Sequence, residues 1–255
     1  MANDWRSRRD IWAVVPVKEF ARAKQRLAPF LSPRLRGELA AAMFEDVLET
    51  LSATRGLAGI VVVTIDPAAS EIALRHGAKI WAEGARDGHT GAVTAAAHRL
   101  AANGSAMLTM PSDIPRVATA DVASLLTAHE GGAAFAIAPA WDELGSNAIV
   151  CSPADLVPLR FGPSSFFPHL AAVRALGLQP TVFRNDAIAL DIDEPAELAR
   201  FMEKRSLTRT WELLDRRRVE WDMAPAPLWI AGSHQSARRP GPLWPPAASQ
   251  RNGLC

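Results

Sequence analysis

Ile11-Trp12-Ala13-Val14-Val15-Pro16-Val17 is an apolar run that ends on the cation Lys18. A membrane-spanning helix needs about 20 such residues, and the run is also too brief for the core of a secretory signal. Its valines suit a pleated backbone instead, so it reads as a strand. Working outward, similar short runs recur at 59–64, 79–82, 106–110, 133–139, 147–151, 181–184 and 187–190. Between them, residues 34–53, 67–76, 91–102, 119–129, 166–176 and 195–204 space their apolar side chains as helices do, several behind an early proline.

Strands alternating with helices predict an α/β domain with a mostly parallel, partly mixed sheet covered by helices on both faces. Ligands in such folds collect at the carboxyl ends of strands, which directs attention to the segments after Val15, Met110, Pro139 and Leu190. The pattern predicts a catalytic domain over 1–207. Over 208–255 it predicts an Arg-rich helix, from Thr210 to Val219, and then a Pro-rich tail carrying Trp229 and Trp244, too poor in backbone donors for regular structure.

The 28 basic and 27 acidic side chains nearly cancel, so no whole-molecule field would gather nucleic acid or an anionic membrane. Two cysteines, Cys151 and Cys255, make neither a disulfide framework nor a metal set, and a cytoplasmic location is expected. The histidines lack zinc-ligand spacing, and no Gly-x-Ser-x-Gly elbow is present. Homo-oligomerisation is left open.

Three constellations carry candidate chemistry. Lys18, Lys24 and Arg26 follow the first strand and place three cations where a loop can wrap nucleotide phosphates and neutralise a departing pyrophosphate. Glycine-rich phosphate loops are absent, so side-chain charge has to replace a nest of amides. The acids Asp113, Asp191 and Asp193 follow two other expected strands, and carboxylate oxygens are what magnesium requires. Asp193 has a second reading, as the N-cap of the helix that Pro195 opens. The third group comprises Ser146 and Asn147 with Gly162, Ser165 and His169; here uncharged donors and a helix start can receive a phosphate or a carboxylate.

Taken in order, V-P-V-K…A-K-Q-R-L, S-D-I-P, G-S-N-A-I, R-F-G-P-S-S-F-x-x-H and A-L-D-I-D-E-P-x-E-L resemble the 2-phospho-L-lactate guanylyltransferases of deazaflavin coenzyme F-420 biosynthesis. The resemblance runs from about Trp12 to Met202. It implies the fold of the sugar-nucleotide pyrophosphorylases, GTP as donor and magnesium as cofactor. The acceptor it implies is a small phosphorylated carboxylic acid, 2-phospho-L-lactate, phosphoenolpyruvate or 3-phosphoglycerate, and the alanine- and arginine-rich character of the chain ranks 3-phosphoglycerate first, then phosphoenolpyruvate, then 2-phospho-L-lactate. By the same resemblance Lys18, Lys24 and Arg26 bind nucleotide, Asp113, Asp191 and Asp193 hold metal, and Asn147, Gly162 and Ser165 contact the acceptor. Two departures stand out. Ala140 and Trp141 lie where the family usually has Asp-Arg, and His89-Thr90 lies where it often has Leu-Asn. Transfer to another acceptor such as a molybdopterin, glycosyl transfer on Asp191 and Asp193, and nucleotide binding without catalysis are the rival readings.

Overall fold

The computed structural model describes residues 10–130 and 135–217. The expected Pro-rich tail lies outside the described residues. Strands β1 (Ile11–Pro16), β2 (Leu57–Val63), β3 (Lys79–Trp81), β4 (Ala106–Thr109), β5 (Phe135–Pro139), β6 (Ser146–Cys151) and β7 (Thr181–Val182) form one sheet in the order β3-β2-β1-β4-β6-β5-β7. β1, β2, β3 and β4 run parallel, as do β5 and β7, whereas β6 is antiparallel to both of its neighbours. The mixed α/β architecture is the one expected.

Strand alternation divides the interior in two. Ala13, Val15, Val62 and Leu108 face a core filled by α1 (Pro33–Ala53), α2 (Pro67–Arg75) and α4 (Thr119–Glu130). Val14, Val61 and Met107 face the opposite core, under α3 (Gly88–Ala102) and α5 (Phe166–Ala175). Sequence-encoded caps open the first two of these helices. Ser32 Oγ accepts from the Leu35 N–H, and Asp66 Oδ1 accepts from the Ala68 and Ala69 N–H groups, each ahead of a first-turn proline.

One expected strand is a helix. Residues 187–190 lie largely in α6 (Asp186–Ala189), because Asn185 Oδ1 accepts from the Ala187 and Ile188 N–H groups and starts a helical turn. Alternation along a strand therefore does not place Asp191 and Asp193. They are placed instead by Ile192 between them, which is fully buried and whose N–H donates to the Asp113 carbonyl at 3.0 Å.

Ile192 belongs to a third core with Leu27, Leu39, Leu198 and Phe201, joining the cationic loop to α1, α7 (Pro195–Met202) and α8 (Arg209–Arg216). Truncating a side chain such as Leu27 in a core of this kind costs about 2–5 kcal/mol, and here it would also loosen the loop from the acids. α8 packs on α1, with Thr210 fully buried, so the packed unit continues past residue 207. Among the described residues no helix is long and apolar enough to cross a membrane.

Candidate active site

The chain leaves β1 and enters a loop of two 3-10 turns, Phe20–Arg22 and Gln25–Leu27. Its entry is fixed by the Val17 N–H on the Val63 carbonyl and by the Phe20 N–H on Asp66 Oδ2, 2.7 Å away. Arg36, buried in α1, supports the second turn by donating to Gln25 Oε1 at 3.1 Å. Between the turns Lys24 adopts φ 52°, a left-handed conformation that costs a non-glycine residue about 1–3 kcal/mol and is held only where the surroundings demand it.

Here the demand is electrostatic. Lys24 Nζ lies 2.6 Å from Asp113 Oδ2 and 2.7 Å from Asp193 Oδ1, with the lysine side chain 7% exposed. Burial alone would lower the pKa of the ammonium, but Asp113 and Asp193 outweigh it and hold the group above its ordinary value. Asp193, despite its own burial, is in turn held below the usual carboxylate range by Lys24. The helix-cap reading of Asp193 fails, because Glu194 is the cap residue of α7 and the Glu197 carboxylate accepts from the Asp193 and Glu194 N–H groups.

Asp191 sits differently. Burial and then the charge of Asp113 push its carboxyl up to about 6, while the Asn147 amide, 2.9 Å from Oδ1, steadies the ionised form. Asn147 is itself buried, and its Nδ2 also donates to the Ile188 and Ala189 carbonyls. The amide hydrogens that were candidates for the acceptor thus orient Asp191. Asp113 Oδ1 is buried without a protein partner. An orphaned carboxylate oxygen next to a second carboxylate is the environment a hard divalent cation satisfies, so the donor set fits magnesium. Among the described residues no three His, Cys, Asp or Glu side chains close such a site by themselves, which leaves room for phosphate oxygens to complete it.

Lys18, Lys24, Arg26, His89, Asp113 and Asp193 line a cavity of about 410 Å³ between the cationic loop and the segment after β4. Arg26 pairs across its rim with Glu194 at 3.2 Å, both side chains more than half exposed, a contact worth little to stability.

On the neighbouring side, Ser165 Oγ donates to Ser146 Oγ at 3.0 Å, and Ser146 Oγ lies 3.0 Å from His169 Nδ1. His169 Nε2 accepts the Arg160 N–H at 3.0 Å, so Nδ1 carries the ring proton and donates to Ser146. Burial holds this histidine neutral, with a pKa of about 4. His169 is therefore a brace. It links α5 to β6 and to the loop bearing Gly162, where an added Cβ would meet nothing. Thr90 Oγ1 accepts the Phe161 N–H at 3.0 Å and anchors the same loop to α3.

Three residues named in the sequence take roles that it does not show. The backbone N–H of Trp141 donates to the Ala189 carbonyl, and its ring carries the guanidinium of Arg200, 3.2 Å from the centroid, so α7 places a cation beside Trp141. His89 lies tilted against Phe161 with centroids 4.4 Å apart, and burial lowers its pKa to about 4. Cys151 is buried and pushed up to about 12, which removes it as a nucleophile.

A cationic loop after the first strand faces Asp113 at the end of the fourth, and solved structures share this fold. A Desulfovibrio desulfuricans structure assigned to the nucleotide-diphospho-sugar transferases superimposes with TM-score 0.68 at 20% identity, covering 84% of this chain and 97% of that one. A 4-diphosphocytidyl-2C-methyl-D-erythritol synthase from Anaerococcus prevotii gives 0.54 at 10% identity, covering 80% and 100%. Residues 11–227 match the model of the family described as "Guanylyl transferase CofC like", and the chain belongs to that family. It is 37% identical to the phosphoenolpyruvate guanylyltransferase of Rubrobacter xylanophilus over 74% of this chain and 92% of that protein. To the 2-phospho-L-lactate guanylyltransferase of Methanothermobacter thermautotrophicus it is 34% identical, over 84% and 93%.

Proposed function

We propose that this guanylyltransferase transfers the guanylyl group of GTP to the phosphate of a small phosphorylated carboxylic acid and releases pyrophosphate, as a step of coenzyme F-420 biosynthesis. Among acceptors 3-phosphoglycerate ranks ahead of phosphoenolpyruvate and 2-phospho-L-lactate. The observation that carries the reading is the Lys24 ammonium between Asp113 and Asp193, in a cavity that Lys18 and Arg26 also line. Cations for phosphate oxygens and carboxylates for a divalent ion are thereby set side by side. The names of the curated relatives support phosphorylated acids as a class.

Asp113 and Asp191, with Asp193 beside them, would hold magnesium, whose contribution when bound is to offset phosphate charge and polarise the phosphorus centre. The chain's own groups supply the rest. Lys18 and Arg26 bind the triphosphate and compensate the charge that grows on pyrophosphate as its bond to the α-phosphorus breaks. Ser146, Ser165 and the loop at Gly162 seat the acid, so that its phosphate oxygen forms the new bond in line with the one that breaks. No general base is required, because the attacking phosphate is already anionic near neutral pH. That suits a site whose buried histidines are neutral and hydrogen-bonded or tilted against an aromatic ring.

The test incubates the purified full chain with GTP, magnesium and each acid in turn, following pyrophosphate and the mass of the product. A guanylylated acid is expected, most readily from 3-phosphoglycerate. Absence of product from all three acids, with GTP still bound, would replace transfer by nucleotide binding alone.

A further inference from the structure

Around the acceptor side several polar side chains are tied to one another. Thr90 holds Phe161, His169 uses both ring nitrogens, and Ser146 and Ser165 bond each other. His89 has no such tie. Its ring lines the cavity beside Lys18, Lys24 and Asp113, and no described residue hydrogen-bonds either nitrogen. Phe161, against which it is tilted, also meets the His169 ring at 5.4 Å. His89 therefore stands between the cationic end of the cavity and the Ser146–Ser165–His169 network.

A neutral imidazole displays one N–H donor and one lone pair. Both face the cavity, so a ligand that supplies the matching groups can take the place of water there. Anionic oxygens in this cavity are better served by Lys18 and Lys24. The complement of a paired donor and acceptor that carry no charge is a hydroxyl group.

We infer that His89 is a specificity-determining residue that receives a free hydroxyl on the phosphorylated acid. The inference rests on the guanylyl-transfer reading above. It divides the candidate acceptors chemically: 3-phosphoglycerate carries a free hydroxyl next to its carboxylate, whereas phosphoenolpyruvate and 2-phospho-L-lactate have theirs replaced by the phosphate ester. A site that hydrogen-bonds a substrate hydroxyl disfavours analogues without one, because its polar groups are then left unpaired.

The experiment measures kcat/KM for 3-phosphoglycerate and for phosphoenolpyruvate in the wild type, in His89→Phe, which keeps an aromatic face against Phe161, and in His89→Gln, which keeps a donor and an acceptor. Melting temperatures check the fold. In His89→Phe the preference for 3-phosphoglycerate over phosphoenolpyruvate should fall by about tenfold or more, and His89→Gln should recover most of it. An equal loss with both acids, no loss, or a change confined to the KM for GTP would overturn the inference. A wild type that uses phosphoenolpyruvate and not 3-phosphoglycerate overturns it while leaving guanylyl transfer intact. Product from none of the acids would remove the transfer reading itself.

Discussion

Lys24 and Asp113, 89 positions apart in the chain, meet at 2.6 Å, and the same ammonium reaches Asp193 at 2.7 Å. Neither carboxylate reads as a lysine partner in sequence, yet the triad joins the first, fourth and last loops at the carboxyl edge of the sheet. An ammonium shared by two acids that face a cavity can exchange a carboxylate for a phosphate at little cost, since both are anions of similar reach.

Replacing Lys24 by Ala removes that charge and leaves Asp113 and Asp193 facing each other. Turnover should fall by about 10²-fold or more, the scale of removing one preorganised charge from a transition state. Steady-state rates at saturating GTP check this, and an unchanged rate would make Lys24 a structural counter-ion only.

Asn147→Ala tests whether that amide serves Asp191 more than the acceptor. Losing Nδ2 strands the Ile188 and Ala189 carbonyls as well as the carboxylate, which should destabilise the fold by about 1–3 kcal/mol. Asp191→Asn should abolish turnover while the fold persists. If Asn147→Ala raises the KM for the acid at unaltered kcat and melting temperature, the amide contacts the acceptor instead.

Much of this was legible in the sequence. Most short apolar runs marked strands, prolines and caps marked helices, and Asp113 after the fourth strand marked the cavity. What was not legible came from contacts between distant segments. The run over 187–190 is apolar and short, where period cannot separate strand from helix, and only the Asn185 cap distinguishes them. Trp141 reads as a lost cation until Arg200 of α7 is seen to lie across its ring. His89 looks like one of several scattered histidines, and only the cavity wall shows that its nitrogens are unspent.

Acid should weaken the fold between pH 6.5 and 4. His129 and His169 are buried and neutral, each lowered by burial to about 4, so in that interval the unfolded chain binds protons that the folded chain does not. Their contribution is complete above 6.5 and is lost as pH falls toward 4, of order 3 kcal/mol for each. Asp191, pushed up to about 6, opposes them, as do Asp46 and Glu197, which burial holds above their ordinary values, while His89, lowered to about 4, adds to them. Urea unfolding at pH 7.5 and pH 5 measures the slope. His129→Asn, which retains a partner for Ser152 without titrating, should reduce it by about one proton. A stability that rises on acidification would contradict this assignment.

The last helix supplies a test of where the working unit ends. Asp46 of α1 accepts three hydrogen bonds from the start of α8: the Arg209 N–H at 2.8 Å, the Thr210 N–H at 3.0 Å and the Thr210 hydroxyl at 2.6 Å. Burial still pushes its carboxyl above the usual range, so the charge depends on those donors. Leu214 and Trp211 close the third core against Phe201, which shares that core with Leu27 and Ile192. A chain ending at Arg217 keeps all of these contacts and should match the full chain in melting temperature and turnover. A chain ending at Leu207 uncovers Phe201 and Asp46 together and returns to water the apolar surface closed by Trp211 and Leu214, a loss of about 2 kcal/mol or more. Because Phe201 packs with Ile192, the damage should reach the acids, and turnover should fall together with stability. Thr210→Val isolates the polar part: it removes one donor at nearly constant volume, leaves the apolar closure in place and should cost about 1–3 kcal/mol. Equal melting curves for the chains ending at Leu207 and Arg217 would show that α8 rides on the surface without supporting the site.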